Sequence, residues 1–338
     1  MFIVGYNQNA GSKLIKTIIE NRENIQEIYF AWGDIPSGRG CNYKSEIDEF
    51  NYTNQLIEDL KIFSENGIKQ NLLLNGNCYG KYSQARVFFN KIGDIIDFLQ
   101  SNFALNSVTT SSPLIAKFIK QNFADLHVRA SVNMEIGTIE GMDYLADYFD
   151  GFYLKRELNR NLKAIKNIRQ YCDDNGKKLY MLANSGCLNN CSSHNFHDNL
   201  VAHEHEISEM DNAYEFKSSC SLYLAKDNKR EKFLSISNFI RPEDIELYSE
   251  FFDGIKLATR VSYNPVEIIM AYIQKRYRGN LLNLLEPNHA RHFAPSIIDN
   301  NQIPSNWAEK VADCNKNCNQ CQYCYQTLKN SLIILGKD

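Results

Sequence analysis

A chain of 338 residues, 43% hydrophobic and 23% charged, carries enough apolar material for one large α/β domain or two smaller ones. Its formal net charge of −3 gives no global argument for a nucleic-acid or membrane surface, leaving only a local basic patch compatible with RNA or DNA. No apolar run approaches the roughly 18–20 residues of a membrane span, and the opening MFIVGYNQNAGSK lacks the basic region of a signal peptide, so a cytoplasmic protein is expected.

Short apolar runs then alternate with helical patterns along most of the chain. Strands are expected at MFIVGY, IQEIYFAW, KQNLLLNG, NSVTTS, LHVRASVNM, GFYLKR, KLYMLAN and DGIKLAT. Helices are expected at EIDEFNYTNQLIEDLKIFSENG, KIGDIIDFLQSNF, PLIAKFIKQNF, GMDYLADYF and NLKAIKNIRQYCDDNG. Eight strands with crossover helices predict an α/β fold, a (β/α)8 TIM-like barrel over residues 1–280. A doubly wound open sheet is the runner-up, because alternation alone does not close a sheet. About seventy residues separate the last two strands, and an insertion of that length is more often functional than idle. It holds HDNLVAHEHEISEMDNAYEFKSSC and a strand-like KFLSISNFI. Beyond PVEIIMAYIQKRYRG the periodicity fades, and residues 281–338 read as an extension carrying a cysteine-rich tail.

The ten cysteines are clustered rather than scattered. In a reducing compartment such clusters suggest metal thiolates more than disulfides. Cys314, Cys318, Cys321 and Cys324, in CNKNCNQCQYC, are four thiols among polar residues and cannot be core packing. Their spacing fits a [4Fe–4S] cluster of the ferredoxin type. Zinc is the alternative there, although structural zinc sites usually split their ligands into two separated pairs. The first three also match the C-x3-C-x2-C of radical S-adenosylmethionine enzymes. That motif follows the first barrel strand and carries an aromatic residue before its third cysteine, where this chain has Gln320. An auxiliary electron-relay cluster is the more natural reading. In a barrel the active face is built from loops at the carboxyl ends of the strands. Cys41, Cys78, Cys187, Cys191 and Cys220 all map to that rim, whereas Cys172 sits in a helix pattern and is expected in the core.

Three stretches together resemble the collagenase-like proteins of peptidase family U-32, now associated with oxygen-independent hydroxylases. They are GFYLKRELNRNLKAIKNI with Arg156-Glu157-Leu158, LYMLANSGCLNNC with the first cysteines, and ISNFIRPEDIELYSEFFDGIKLATR with Lys256 and Arg260. The resemblance implies a (β/α)8 barrel with a [4Fe–4S] cluster on four thiolates. Cys187, Cys191 and Cys220 are the first three, with Cys41 ahead of Cys78 as the fourth; a three-cysteine site is the other arrangement. Soft thiolates suit such a cluster. The spacing of Cys187 and Cys191 is shorter than the family's usual one, and Ala258 stands where an acidic residue is common. Related hydroxylases are thought to use an anionic oxygen donor such as prephenate, so Arg156, Lys256 and Arg260 would clamp a carboxylated co-substrate.

Of the histidines, His194 and His197 lie nearest the cysteines and are the acid–base candidates; His203 and His205 would suit a metal only if extended. Arg39, Arg129, Asn133 and Asn184 are weaker polar candidates on the rim. There is no G-x-S-x-G elbow and no Cys/His/Asn signature, which argues against a peptidase. The expected function is therefore an iron–sulfur redox enzyme, hydroxylase-like, acting on a small molecule, peptide or nucleobase. Two rivals stand beside it: a non-catalytic iron–sulfur subunit serving a partner protein or electron donor, and a zinc-stabilised binding protein.

Overall fold

Period-two alternation splits each expected strand between two environments, and the computed structural model, which describes residues 1–39, 46–318 and 320–335 (46–49 by backbone only), shows what they are. Eight parallel strands close into a barrel in sequence order. They are β1 (Phe2–Gly5), β2 (Ile25–Phe30), β3 (Lys69–Leu74), β4 (Leu105–Thr110), β5 (His127–Ala130), β6 (Gly151–Tyr153), β7 (Lys178–Leu182) and β8 (Gly254–Leu257). Closure comes from Ile3, which is in register with Glu27 on one side and Lys256 on the other. All eight expected strands form, and the open-sheet alternative is ruled out by the β1–β8 ladder.

Outward residues such as Val4, Ile28, Leu72, Val108, Val128, Phe152, Met181 and Ile255 belong to one contiguous apolar core shared with the surrounding helices. Those helices are α1 (Gly11–Glu20), α2 (Glu46–Glu65), α3 (Arg86–Asn102), α4 (Pro113–Asn122), α5 (Ile139–Asp143) and α6 (Leu162–Asp174). Local chemistry sets their starts. The Ser112 hydroxyl accepts from Ile115 N ahead of Pro113, and the Asn161 side chain accepts from Ala164 N. Inward residues form a second, smaller cluster of Ile3, Tyr29, Leu73, Val132, Tyr153, Tyr180 and Leu182. Glycine makes room in it: a Cβ on Gly5 would lie 2.7 Å from Arg260 N and 2.8 Å from the Tyr29 ring.

The insertion between β7 and β8 is helical: α7 (His194–Ala202), α8 (Glu204–Ser208), α9 (Ser219–Leu224), α10 (Asp227–Arg230), α11 (Phe233–Ile236) and α12 (Glu246–Ser249). The strand expected at KFLSISNFI is a correction: residues 233–236 are one helical turn, followed by an isolated bridge from Ser237 to Leu188. Arg160 explains it, donating to the Leu234 and Phe239 carbonyls at 2.9 Å each, which fixes the segment around a buried cation rather than along a sheet edge. After β8 follow α13 (Pro265–Ile273), α14 (Ala290–Phe293), α15 (Trp307–Ala312) and α16 (Tyr323–Ser331). A two-stranded antiparallel ribbon, β9 (Ser296–Ile298) with β10 (Leu332–Ile334), ties the extension together. Leu282, Phe293, Trp307 and Leu328 join the same apolar core as the barrel helices. No helix of the described residues is long and apolar enough to cross a membrane.

Candidate functional site

At the carboxyl end of the barrel a void of about 580 Å³ is lined by Tyr29, Asn133, Arg156, Cys187, Lys256 and Arg260 among others. Its charged lining is Arg39, Arg156, Lys256 and Arg260 against the single carboxylate of Glu286. Arg39 takes that carboxylate, Nε to Oε1 at 3.2 Å. The other cations are held by neutral groups. Arg156 donates to Asn133 Oδ1 at 2.8 Å and lies 3.0 Å from His194 Nε2. Arg260 donates to Ser37 Oγ at 3.0 Å and to the Arg39 carbonyl at 2.6 Å. Lys256 Nζ sits 3.9 Å from the Tyr29 ring centre and 5.4 Å from that of Tyr153. Burial first, then the nearby Arg260, pulls its pKa down to about 7. Among the described residues none of these three cations has a carboxylate within ion-pair distance.

A second void of about 960 Å³ adjoins the first, sharing Arg39, Arg156, Cys187 and Glu286. Cys187, Cys191 and Cys220 all line it. The first two leave the loop after β7 and the third comes from α9, so the insertion closes back on the loop it starts from. The backbone approach is close: a Cβ on Gly186 would lie 2.2 Å from the Pro287 carbonyl, so only glycine fits beside Cys187. Burial raises the Cys220 thiol pKa, and the Cys187 and Cys191 sulfurs are near enough to raise it further. Among the described residues no three His, Cys, Asp or Glu side chains converge tightly enough to hold a single metal ion. A cluster several atoms wide keeps its thiolates farther apart than one ion does, and three thiols from two segments facing one void match that donor set. Cys41 lies outside the described residues. Cys78 is absent from the linings of both voids; its thiol faces His203, whose hydrogen bond is the main cause of a lowered Cys78 pKa.

His194 and His197 both line the cysteine void. Glu135 bonds His194 Nδ1, and Asp198 Oδ2 is 3.2 Å from Nε2. Burial alone would lower the His194 pKa, but Asp198 and Glu135 outweigh it and the net shift is upward. His197 is shifted the other way, by burial first and the Arg39 charge second. His203 pairs instead with Glu206, and His205 is an exposed residue of α8, so these two do not present a shared ligand face.

The tail cysteines also lie together. Burial raises the Cys324 pKa to about 11, with Cys314, Cys318 and Cys321 among the neighbouring charges that raise it. One short bridge joins the two cysteine regions. Asn238 Nδ2 donates to Asn189 Oδ1 at 2.7 Å, and Asn238 Oδ1 accepts from Lys316 Nζ at 3.2 Å. Asn189 stands between Cys187 and Cys191, and Lys316 between Cys314 and Cys318.

Two rim candidates prove structural. Arg129 is a deep barrel residue, bidentate to Glu27 at 2.6 and 2.8 Å. Asn184 is spent on backbone, bonding Ala258 N and O and the Leu284 carbonyl. Residues that sequence reasoning missed are Glu286, Glu135, Asp198 and Tyr29. Glu286 lies where periodicity fades, and Glu135 and Asp198 acquire their meaning only opposite His194; only Tyr29, alternating inward from β2, carried a readable signal.

No protein-family model matches the sequence. A protein of Methanocaldococcus jannaschii described as Uncharacterized protease MJ1657 is 25% identical over 339 residues, covering 96% of this chain and 94% of its own. The solved structure of the U32 peptidase Mk0906 superposes with a TM-score of 0.55 at 15% identity, over 76% of this chain and 92% of that one. The chain is a (β/α)8 barrel protein, similar end to end to that relative and similar in fold to the U32 peptidase.

Proposed function

We propose that the chain is an iron–sulfur-dependent redox enzyme of hydroxylase type, moving oxygen between an anionic donor and a second substrate. The observation that carries this reading is the shared wall: Cys187 lines both the three-thiol void and the cationic barrel mouth. Cys187, Cys191 and Cys220, with Cys41 as the fourth candidate, would hold a [4Fe–4S] cluster, which when bound supplies one-electron chemistry beside the mouth. The protein's own groups do the rest. Arg156 and Arg260 orient a carboxylated co-substrate, and Lys256 adds a third donor. His194 donates from Nδ1 to Glu135 and accepts from Arg156 at Nε2, holding that guanidinium from behind. In balanced form, a donor D–OH and a substrate R–H give R–OH and D–H, so no outside oxidant is consumed. The tail cysteines would hold a second cluster, zinc being the alternative there, with Asn238 spanning the gap between the two regions.

The relative's description as a protease points to hydrolysis. A thiol hydrolase needs a cysteine–histidine pair beside a substrate cleft. Cys78 with His203 and Glu206 has that composition but lines neither void, while Cys187 and Cys191, which share a void with His194 and His197, would be unavailable as nucleophiles when bound to iron.

Anaerobic purification with iron, sulfide and zinc analysis tests the reading. About eight irons per chain are expected for two cubane clusters, falling by about four in Cys187→Ala. Stoichiometric zinc without iron would make the chain a zinc-stabilised protein and overturn the redox assignment. Full iron with no binding of small carboxylates at the mouth would favour a non-catalytic relay subunit instead.

A further inference from the structure

The mouth contains a reactive group that the anion clamp alone does not require. An amine needs no burial to attract a carboxylate; an exposed lysine does that. Lys256 instead sits on β8, 8% exposed, with its Nζ against the faces of Tyr29 and Tyr153 and no acceptor among the described residues. The Tyr29 hydroxyl is held elsewhere, donating to the Leu257 carbonyl at 2.9 Å and accepting from Thr259 N at 3.3 Å, which leaves the ring face toward the amine. Around the amine stand Arg156 and Arg260, cations without carboxylate partners that line the same void. An amine desolvated among cations is one held ready as a nucleophile. The low pKa of Lys256 agrees, since it leaves a large fraction of the amine uncharged near neutrality. Guanidinium groups beside a nucleophilic amine ask for a ligand with a carboxylate next to a carbonyl.

We propose that Lys256 forms an imine with the keto carbon of a 2-oxo acid whose carboxylate is held by Arg156 and Arg260. The amine nitrogen attacks the keto carbon, a C–N bond forms, and the keto oxygen leaves as water with the two amine hydrogens; the imine nitrogen takes one proton from solvent. No electron is gained or lost. The inference rests on the anion clamp of the proposed function and not on either cluster.

Incubating the full chain as isolated with pyruvate and cyanoborohydride, followed by peptide mass spectrometry, tests it. One reduced pyruvate adduct per chain is expected, on the peptide containing Lys256. Lys256→Met should abolish the adduct, and Arg260→Gln should lower labelling at limiting pyruvate about tenfold. Methyl pyruvate, which lacks the carboxylate, should label the wild type about as poorly as pyruvate labels Arg260→Gln. Because the adduct is mapped on the wild type, the result does not depend on a variant folding. Labelling spread over surface lysines overturns the proposal. So does an unlabelled Lys256 in protein that binds pyruvate by calorimetry, which leaves the clamp standing. Absence of both binding and adduct removes the clamp as well.

Discussion

The barrel encloses two charged regions that differ in one respect. Deep in the barrel Arg129 meets Glu27 in a bidentate pair, and the pair is dressed further: Ser107 Oγ donates to Glu27 Oε2 at 2.9 Å, and Asn71 Nδ2 donates to Ser107 Oγ at 2.7 Å. At the mouth, Arg156, Lys256 and Arg260 line one void and, among the described residues, none has a carboxylate within ion-pair distance. Between the regions runs an aromatic stack, with Arg129 4.3 Å from the Tyr180 ring centre, Tyr180 5.2 Å from Tyr153, and Tyr153 beside Lys256. The deep charge is answered inside the protein, whereas the mouth charge is the part that the proposed function assigns to a ligand.

The sharpest way to break this contrast is at its paired end. Glu27→Ala leaves Arg129, 3% exposed, without its counter-charge, and the expected loss of stability in urea unfolding is about 3–5 kcal/mol. Adding Arg129→Met should recover most of it. A single-variant loss below about 1 kcal/mol would mean the deep pair is no more structural than the mouth cations.

The unpaired end should behave oppositely. Lys256 has a folded pKa of about 7 against 10.5 unfolded, so between those values the unfolded chain binds more protons and stability rises with pH. Its cost is therefore absent above pH 10.5 and complete below pH 7. Lys256→Met should be more stable than wild type by roughly 2–4 kcal/mol at pH 6, the gap closing toward pH 10. Urea titrations at pH 6, 8 and 10 check this. A variant less stable than wild type at pH 6 would show that the lysine is paid back by contacts of the kind seen around Arg129.

Arg260→Gln takes the comparison to binding. It removes one guanidinium from a like-charged group, so stability should change by less than about 1 kcal/mol. Affinity for a small dicarboxylate such as malonate, measured by calorimetry, should fall tenfold to a hundredfold, about 1.5–3 kcal/mol for charged hydrogen bonds. Unchanged affinity with a large loss of stability would reverse the roles assigned to the two regions.

How much of this was legible in the sequence follows from the same distinction. The eight strands were readable because their outward faces are continuous with the helix core, as in IQEIYF and KLYML. Cys187, Cys191 and the tail cysteines were readable because their spacing is local. Glu27 and Arg129 were not recognisable as partners, being 102 residues apart, and Arg129 looked like a rim cation until the barrel closed. KFLSISNFI has a strand's composition, but the Arg160 guanidinium, stacked 4.3 Å from the Trp307 ring centre, sets its backbone from outside the segment. The extension was opaque for a related reason: its short elements are held by contacts with Phe239 and Arg241 rather than by any period of their own.

The smallest effect is expected between the extremes, at Asn238. Here a cation, Lys316, is answered by a neutral oxygen, yet the same side chain also donates to Asn189, so it belongs to the structural class by geometry and to the mouth class by charge. Asn238 is 3% exposed, and Asn238→Ala should cost about 1 kcal/mol, two modest hydrogen bonds less the relaxation of Lys316 toward solvent. A cost that small cannot unfold the barrel, but it is concentrated where two cysteine loops meet. The consequence should be local: in metal-free protein, alkylation of the half-buried Cys314 by iodoacetamide speeds up several-fold, while Cys172, buried in α6, keeps its rate. Equal acceleration at Cys172 would mean that Asn238 supports the whole fold. No acceleration anywhere would mean that the two cysteine regions are held by the packing of Trp307 and Phe239 alone, and the bridge would lose its place as the link between them.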